Sequence, residues 1–281
     1  MKSPLCRLTR VPGACRTKPS CTHRVDAVRG LDGRTPTVLQ GMRRGDNRRR
    51  FVATACCSVL TLAAAVQGEA AGRGPGQPVL TVHTFGDSVL DCARYNAEGL
   101  DPGQLLVKND DRLFPEFKRH DLQSRGPVRL AHRAVDGATV EDLAAQARGL
   151  HPREPSVGLL TIGGNDLIRG LASDTGSGMR AFERTLDAFL TRLPIRPMLM
   201  ASVYDPTFGD DARNFLGVEA RVARANHRRV NAIIEALAQR HGRFVDLHAH
   251  FLSGDPSWFT RTIEPSLRGA SEVRRVFLAA M

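Results

Sequence analysis

A serine hydroxyl attacks a carbonyl only if a base can take its proton and polar donors can receive the oxyanion that forms. Three short polar runs in this 281-residue chain carry side chains and glycines suited to that work. Phe85-Gly86-Asp87-Ser88 closes an apolar run and offers Ser88 as a nucleophile. Asp136-Gly137 offers a backbone N–H at Gly137, where the missing Cβ leaves room for an oxyanion. Gly163-Gly164-Asn165-Asp166 offers the side-chain amide of Asn165. Together Ser88, Gly137 and Asn165 would stabilise a tetrahedral intermediate.

The elements around these runs must bring them to one place. Val79 to Phe85 is a β-rich run, followed by strand patterns at Val128 to Ala134, Val157 to Ile162, Met198 to Val203 and Phe244 to Leu247. Between them lie helical patterns at Thr139 to Leu150, Met179 to Leu193 and Val218 to Gln239, with a last one at Ser271 to Ala280. Thr139 reads as a cap for the first of these, and Gly242 ends the third. The third helix is expected to turn Val218, Val222, Ala225, Val230, Ile233 and Leu237 inward, with Asn226, His227, Arg228 and Arg229 on a solvated face. This alternation predicts an α/β domain: three layers, a doubly wound sheet of about five parallel strands and helices on both faces. Ligands of such sheets bind beyond the carboxyl ends of the strands. Ser88, Gly137, Asn165, Asp205 and the pair His248 and His250 all follow strands, so one rim should collect them.

With those residues in place, the chain resembles the SGNH (GDSL-type) hydrolases over about residues 79–281. Gly86-Asp87-Ser88 resembles the family's nucleophile block, Asp136-Gly137-Ala138-Thr139 its glycine block and Gly163-Gly164-Asn165-Asp166 its G-x-N-D block, in the family's order. The resemblance implies a flavodoxin-like SGNH fold, a serine ester hydrolase and no cofactor. By it, Ser88 is nucleophile and first oxyanion donor, Gly137 and Asn165 complete the hole, and Asp87, Gly163 and Asp166 support the loops. The last block departs from the pattern. Where the family has D-x-x-H-P, this chain has Arg261-Thr262-Ile263-Glu264-Pro265, so Arg261 replaces the aspartate and Glu264 the histidine.

Three readings of the base follow. His250 or His248, after the fifth strand, takes over as base, with Glu264 as its orienter; alternation puts both imidazoles on one side if the strand continues. Alternatively Glu264 is itself the base, which requires burial to raise its pKa. In the third reading the site no longer hydrolyses esters, and the pocket binds an ester or carbohydrate ligand. A metal pair at His248 and His250 with Asp246 lacks a further ligand set, so no metal is expected. His83 reads as a structural residue of the first strand. Trp258 and Phe259 either line an acyl pocket or pin their loop.

Charge and cysteine divide the chain. Residues 1–75 hold 14 Lys and Arg against 4 Asp and Glu, and five of the six cysteines. The remainder holds 26 against 25, which gives no electrostatic reason for a nucleic-acid partner. Residues 1–41 cannot bury enough apolar surface to fold and read as a disordered basic extension. Residues 42–70 carry a basic start, the apolar run from Phe51 to Val66 and small residues before Ala71, the layout of an export signal. Arg48-Arg49-Arg50-Phe51-Val52 also resembles a twin-arginine signal. The apolar run is short for a membrane span, so no stable span is expected in the mature chain. Residues 71–78 read as a linker and 79–281 as the catalytic domain. The expected setting is extracytoplasmic, with the cytoplasm as the alternative, and the expected partner is a small-molecule ester.

Overall fold

The computed structural model describes residues 78–281. The basic extension, the signal-like segment and the linker up to residue 77 lie outside the described residues, as do five of the six cysteines. No helix among the described residues is long and apolar enough to cross a membrane.

Five strands form one parallel sheet: β1 (Leu80–Gly86), β2 (Val128–His132), β3 (Ser156–Thr161), β4 (Met198–Ala201) and β5 (Gly242–Val245). Their order is β2-β1-β3-β4-β5, so the chain reverses its direction of winding between β1 and β3. That is the flavodoxin-like order, with its switch point where ligands gather. Alternation along the strands explains how both faces are covered. Val82, Val157, Leu159, Leu199 and Ala201 pack on one side with Leu106, Phe251, Val273 and Phe277. Phe85, Leu160, Met198 and Met200 pack on the other with Leu186, Phe189, Val230 and Ile234.

The helices follow in chain order as α1 (Pro102–Val107), α2 (Leu143–Gln146), α3 (Gly164–Ile168), α4 (Ser177–Arg192), α5 (Ala220–His241), α6 (Leu247–Leu252) and α7 (Leu267–Ala279). A two-stranded hairpin, β6 (Phe259–Thr260) with β7 (Glu264–Pro265), precedes α7. The three-layer expectation holds, with differences in detail. The helix expected from Thr139 to Leu150 is a 3-10 turn, opened by a capping box of Thr139 and Asp142, and a single α-turn that ends at Gln146, with Gly149 at a left-handed φ of +68. On α5 the inward face is Ala223, Asn226, His227, Val230, Ile234 and Leu237, and Val222 is exposed. Asn226 and His227, expected at a solvated face, are buried because each finds a backbone acceptor. Asn226 Nδ2 donates to Ala172 O and Asp174 O, and His227 Nε2 lies 2.8 Å from Val203 O.

The fifth strand stops at Val245, two residues earlier than the pattern predicts, because Asp246 caps α6 by accepting the Ala249 N–H. His248 and His250 therefore sit on a helix. Two residues along a helix turn about 200°, which sends the two imidazoles to different neighbours and not to one side.

Candidate active site

The Ser88 corner is fixed from below. Gly86 lies at φ +113 with Thr161 O only 1.6 Å from where a Cβ would stand, so only glycine lets β1 pass β3 here. Gln146 clamps the same peptide from α2, its Oε1 accepting the Gly86 N–H and its Nε2 donating to Gly86 O, both at 2.8 Å. The chain then turns, and Asp87 Oδ1 accepts the Val89 N–H at 3.2 Å and the Thr161 hydroxyl at 2.8 Å. Ser88 emerges at the β1/β3 switch point, buried apart from 8% of its surface. Burial pushes the Asp87 carboxyl up to about 7, opposed by its two hydrogen bonds and helped by the charges of Asp166 and Glu264.

Gly137 lies in the loop after β2, and Asn165 opens α3 after β3. Gly137 has φ +78, and its carbonyl accepts Arg169 Nη2 at 2.9 Å. Asn165 Nδ2 donates to Ala138 O at 3.0 Å, which ties the two loops together and leaves its second N–H for a ligand. Asp166 accepts the Val140 N–H at 3.2 Å and so holds the same loop. Burial raises its pKa to about 6. Gly163, at φ +109, starts α3 where a Cβ would stand 2.9 Å from Val230 Cγ1. Asn165 and Ser88 line one pocket.

The base candidates separate. Glu264, on β7, puts its carboxylate beside the Ser88 hydroxyl. Burial raises its pKa, the Ser88 hydroxyl and the Arg261 charge hold it back, and the Asp136 charge adds to the rise. Its Oε2 is buried and makes no hydrogen bond among the described residues. His250 points elsewhere: its Nε2 lies 2.9 Å from Glu272 Oε2 on α7, and its ring stacks on Trp258. His248 packs edge-on against His227, with ring centroids 4.8 Å apart, and its backbone N–H donates to Ser202 Oγ. Burial lowers the pKa of both His248 and His227. Neither His248 nor His250 lines the pocket that holds Ser88. His83 is buried in β1, and burial with the charges of Arg133 and Arg129 lowers it to about 4. No group of three or more metal-binding side chains occurs among the described residues.

A collar that sequence reasoning missed surrounds Glu264. The Tyr95 hydroxyl donates to Asp136 Oδ2 at 2.6 Å, and the Arg261 guanidinium lies 5.1 Å from the centre of the Tyr95 ring. His132, also overlooked, sits at the end of β2 between Asp91 and Asp101, at 3.4 and 3.8 Å. Neither residue belongs to a short motif; the pairing of β2 with β1 sets His132 beside Thr84, and Tyr95 comes from the 3-10 turn after β1. Trp258 and Phe259 pin the hairpin: Trp258 packs on Phe251, and Phe259 on Tyr204 and Phe251. Neither lines the pocket at Ser88.

A five-stranded parallel sheet in this order, with Ser88 and Asn165 lining one pocket, is the α/β arrangement of SGNH-type hydrolases. The chain matches the GDSL-like lipase/acylhydrolase family model over residues 84–270 and belongs to that family. Solved structures agree on the fold. An α/β hydrolase from the metagenome of Lake Arreo is 25% identical, with a TM-score of 0.50 over 72% of this chain and 94% of that one. An acetylxylan esterase from Geobacillus stearothermophilus is 20% identical, with a TM-score of 0.50 over 72% and 93%. A lipase from a goat rumen metagenome is 15% identical, with a TM-score of 0.54 over 72% and 97%. No curated protein matches the chain.

Proposed function

We propose that this protein hydrolyses carboxylic esters through a Ser88 acyl-enzyme, with Glu264 as general base. The observation that carries the reading is the Glu264 carboxylate beside the Ser88 hydroxyl, with its pKa raised by burial. Ser88 Oγ attacks the acyl carbonyl and its proton passes to Glu264. The oxyanion takes hydrogen bonds from the backbone N–H groups of Ser88 and Gly137 and from Asn165 Nδ2. Glu264 then returns the proton to the departing alkoxide, and the C–O bond breaks. Water then attacks the acyl-enzyme carbonyl as Glu264 takes its proton, the bond from the acyl carbon to Ser88 Oγ breaks as Glu264 returns that proton to Oγ, and the free acid leaves. Burial matters because an ordinary carboxylate is too weak a base for a serine hydroxyl, and catalysis is best when the base's pKa approaches the working pH. The reading also carries an export expectation, supported by the sequence pattern of residues 42–70.

The test is hydrolysis of p-nitrophenyl esters by the full chain beside Ser88→Ala. Loss of more than 10³-fold in kcat/KM on Ser88→Ala supports the reading, and equal rates for the two proteins end it. One observation favours a second reading, a ligand-binding protein on the same fold: among the described residues no imidazole pairs with Ser88. That reading expects no turnover in either protein and equal affinity for an ester ligand in both.

A further inference from the structure

We propose that the trough beside Ser88 selects esters of medium-length straight-chain fatty acids over acetyl esters, with Phe215 and Ala223 setting the chain length. The inference rests on the Ser88 hydrolase reading for its chemistry. It rests on the trough alone for its ligand.

The trough begins at Ser88 and Asn165 and runs across the ends of β3 and β4 to the first turns of α5. Its volume is about 110 Å³. Leu167 and Ile168 of α3, Val203 after β4, Phe215 and Leu216 of the following loop, and Ala223 of α5 form its walls. Ile168 and Phe215 are among the few large apolar side chains exposed in the described residues, at 47% and 41%. Apolar surface left open on both lips of one trough is what a chain of methylenes would cover.

Away from Ser88 and Asn165, the polar side chains of the trough are largely bonded within the protein, which points to the same ligand. His227 Nε2 is 2.8 Å from Val203 O, and the Thr207 hydroxyl donates to Asp205 Oδ1 at 2.6 Å. Asn214 Nδ2 donates to Val218 O at 2.6 Å. Arg224 is held by Asp205 at 3.0 Å and also by Asp211, so its charge is matched by two carboxylates. A sugar ring would bring hydroxyls with few free partners to meet. A carboxylate-tailed substrate would find no free cation in Arg224. An acetyl group would leave most of the trough to water. A hexanoyl or octanoyl chain covers it and brings nothing that needs a partner. The ion cluster at Arg224 then acts as an end wall, because a longer chain would have to strip water from charges it cannot bond.

Burial of each methylene is worth about a fourfold gain in affinity. The full chain should therefore show kcat/KM on p-nitrophenyl esters rising about fourfold per methylene from acetate to hexanoate. The rise should flatten by octanoate and fall by dodecanoate. Phe215→Ala, a change at an exposed position, should lower the hexanoate-to-acetate ratio about tenfold. Ala223→Phe, which fills the trough, should lower it further. A series that is flat or falls from acetate, or a ratio that Phe215→Ala leaves unchanged, overturns the proposal. Calorimetric titration with the free acids separates the two readings. If no ester is turned over yet octanoate binds and acetate does not, the trough assignment stands and the hydrolase reading falls. If neither acid binds and no ester is turned over, both fall.

Discussion

Glu264→Gln is the perturbation that most directly probes the chemistry. Glutamine keeps the volume of the side chain and can still accept the Ser88 hydroxyl, but it cannot take its proton. Positioned general bases contribute typically 10²–10⁴-fold, so kcat should fall by about that factor while KM moves only a few-fold. The pH profile follows from the direction of the Glu264 shift. Burial raises its pKa above 4.5, and only the ionised form can act as base. Activity of the wild type is therefore present above the raised pKa and lost as pH falls through it. The Gln variant should lose that acid limb and keep a low residual rate from the oxyanion donors. Because burial disfavours the charged form, the variant should melt no lower than the wild type at pH 8. The assay is initial-rate hydrolysis of p-nitrophenyl hexanoate from pH 4 to 9, with melting curves on the same samples. A Gln variant within fivefold of wild type, with the same acid limb, refutes Glu264 as base.

His250→Ala and His248→Ala should each retain kcat within a few-fold, since both imidazoles are held away from Ser88; loss of activity on the scale of Ser88→Ala in either would move the base to that residue. Asn165→Ala should lower kcat by about 10²–10³ with little change in KM, measured by steady-state kinetics, as loss of one oxyanion donor does. Arg261→Met should move the acid limb of the kcat profile upward, because the guanidinium charge holds the Glu264 pKa down; a limb that stays in place would leave Arg261 with a packing role on Tyr95 alone. Asp87→Asn should gain stability relative to wild type as pH rises. The Asp87 carboxyl titrates at about 7 in the fold against 3.8 unfolded, so wild-type stability falls through that window by up to ~1.4 kcal/mol per pH unit, and the amide has no such loss. Equal pH dependence of the two melting temperatures would contradict the buried carboxyl.

The sheet was readable in the sequence because its strands are short apolar runs, each followed by polar punctuation, and Gly86-Asp87-Ser88, Gly137 and Gly163-Gly164-Asn165 mark the ends of three of them. Parallel strands with helices between them leave few topologies, so the rim followed. What failed was the reading of residues whose environment is set by distant neighbours. His248 and His250 looked paired because a strand was carried through Asp246, yet that aspartate caps a helix. Asn226 and His227 looked exposed beside two arginines, yet each bonds a buried carbonyl. The collar of Tyr95, Asp136 and Arg261 draws on three separate loops, and no local pattern announces it. The apolar trough was missed for the same reason, since its walls come from α3, α5 and the loop between β4 and α5.

The electrostatics of the corner bear on how a carboxylate could replace an imidazole there. The charges of Asp166 and Glu264 raise the proton affinity of Asp87, and burial raises all three carboxyls. Full ionisation of such a group is costly, so its members release protons at different pH values and not together. Asp87, which is wholly buried, is the last to ionise of those with assigned values. Near neutral pH a proton on Asp87 removes one negative charge from the neighbourhood of Glu264. That lets Glu264 stay ionised next to Ser88, where the Arg261 charge also favours its ionised form. In this account the aspartate of Gly86-Asp87-Ser88 does more than shape the turn. Its protonation and the basicity of Glu264 are linked, and Asp87→Asn, which fixes the neutral state that Glu264 meets as it ionises, should leave the acid limb of the kcat profile in place while it flattens the stability profile. An acid limb that moves downward in the variant would show Asp87 already charged where Glu264 titrates, and would overturn this order of ionisation.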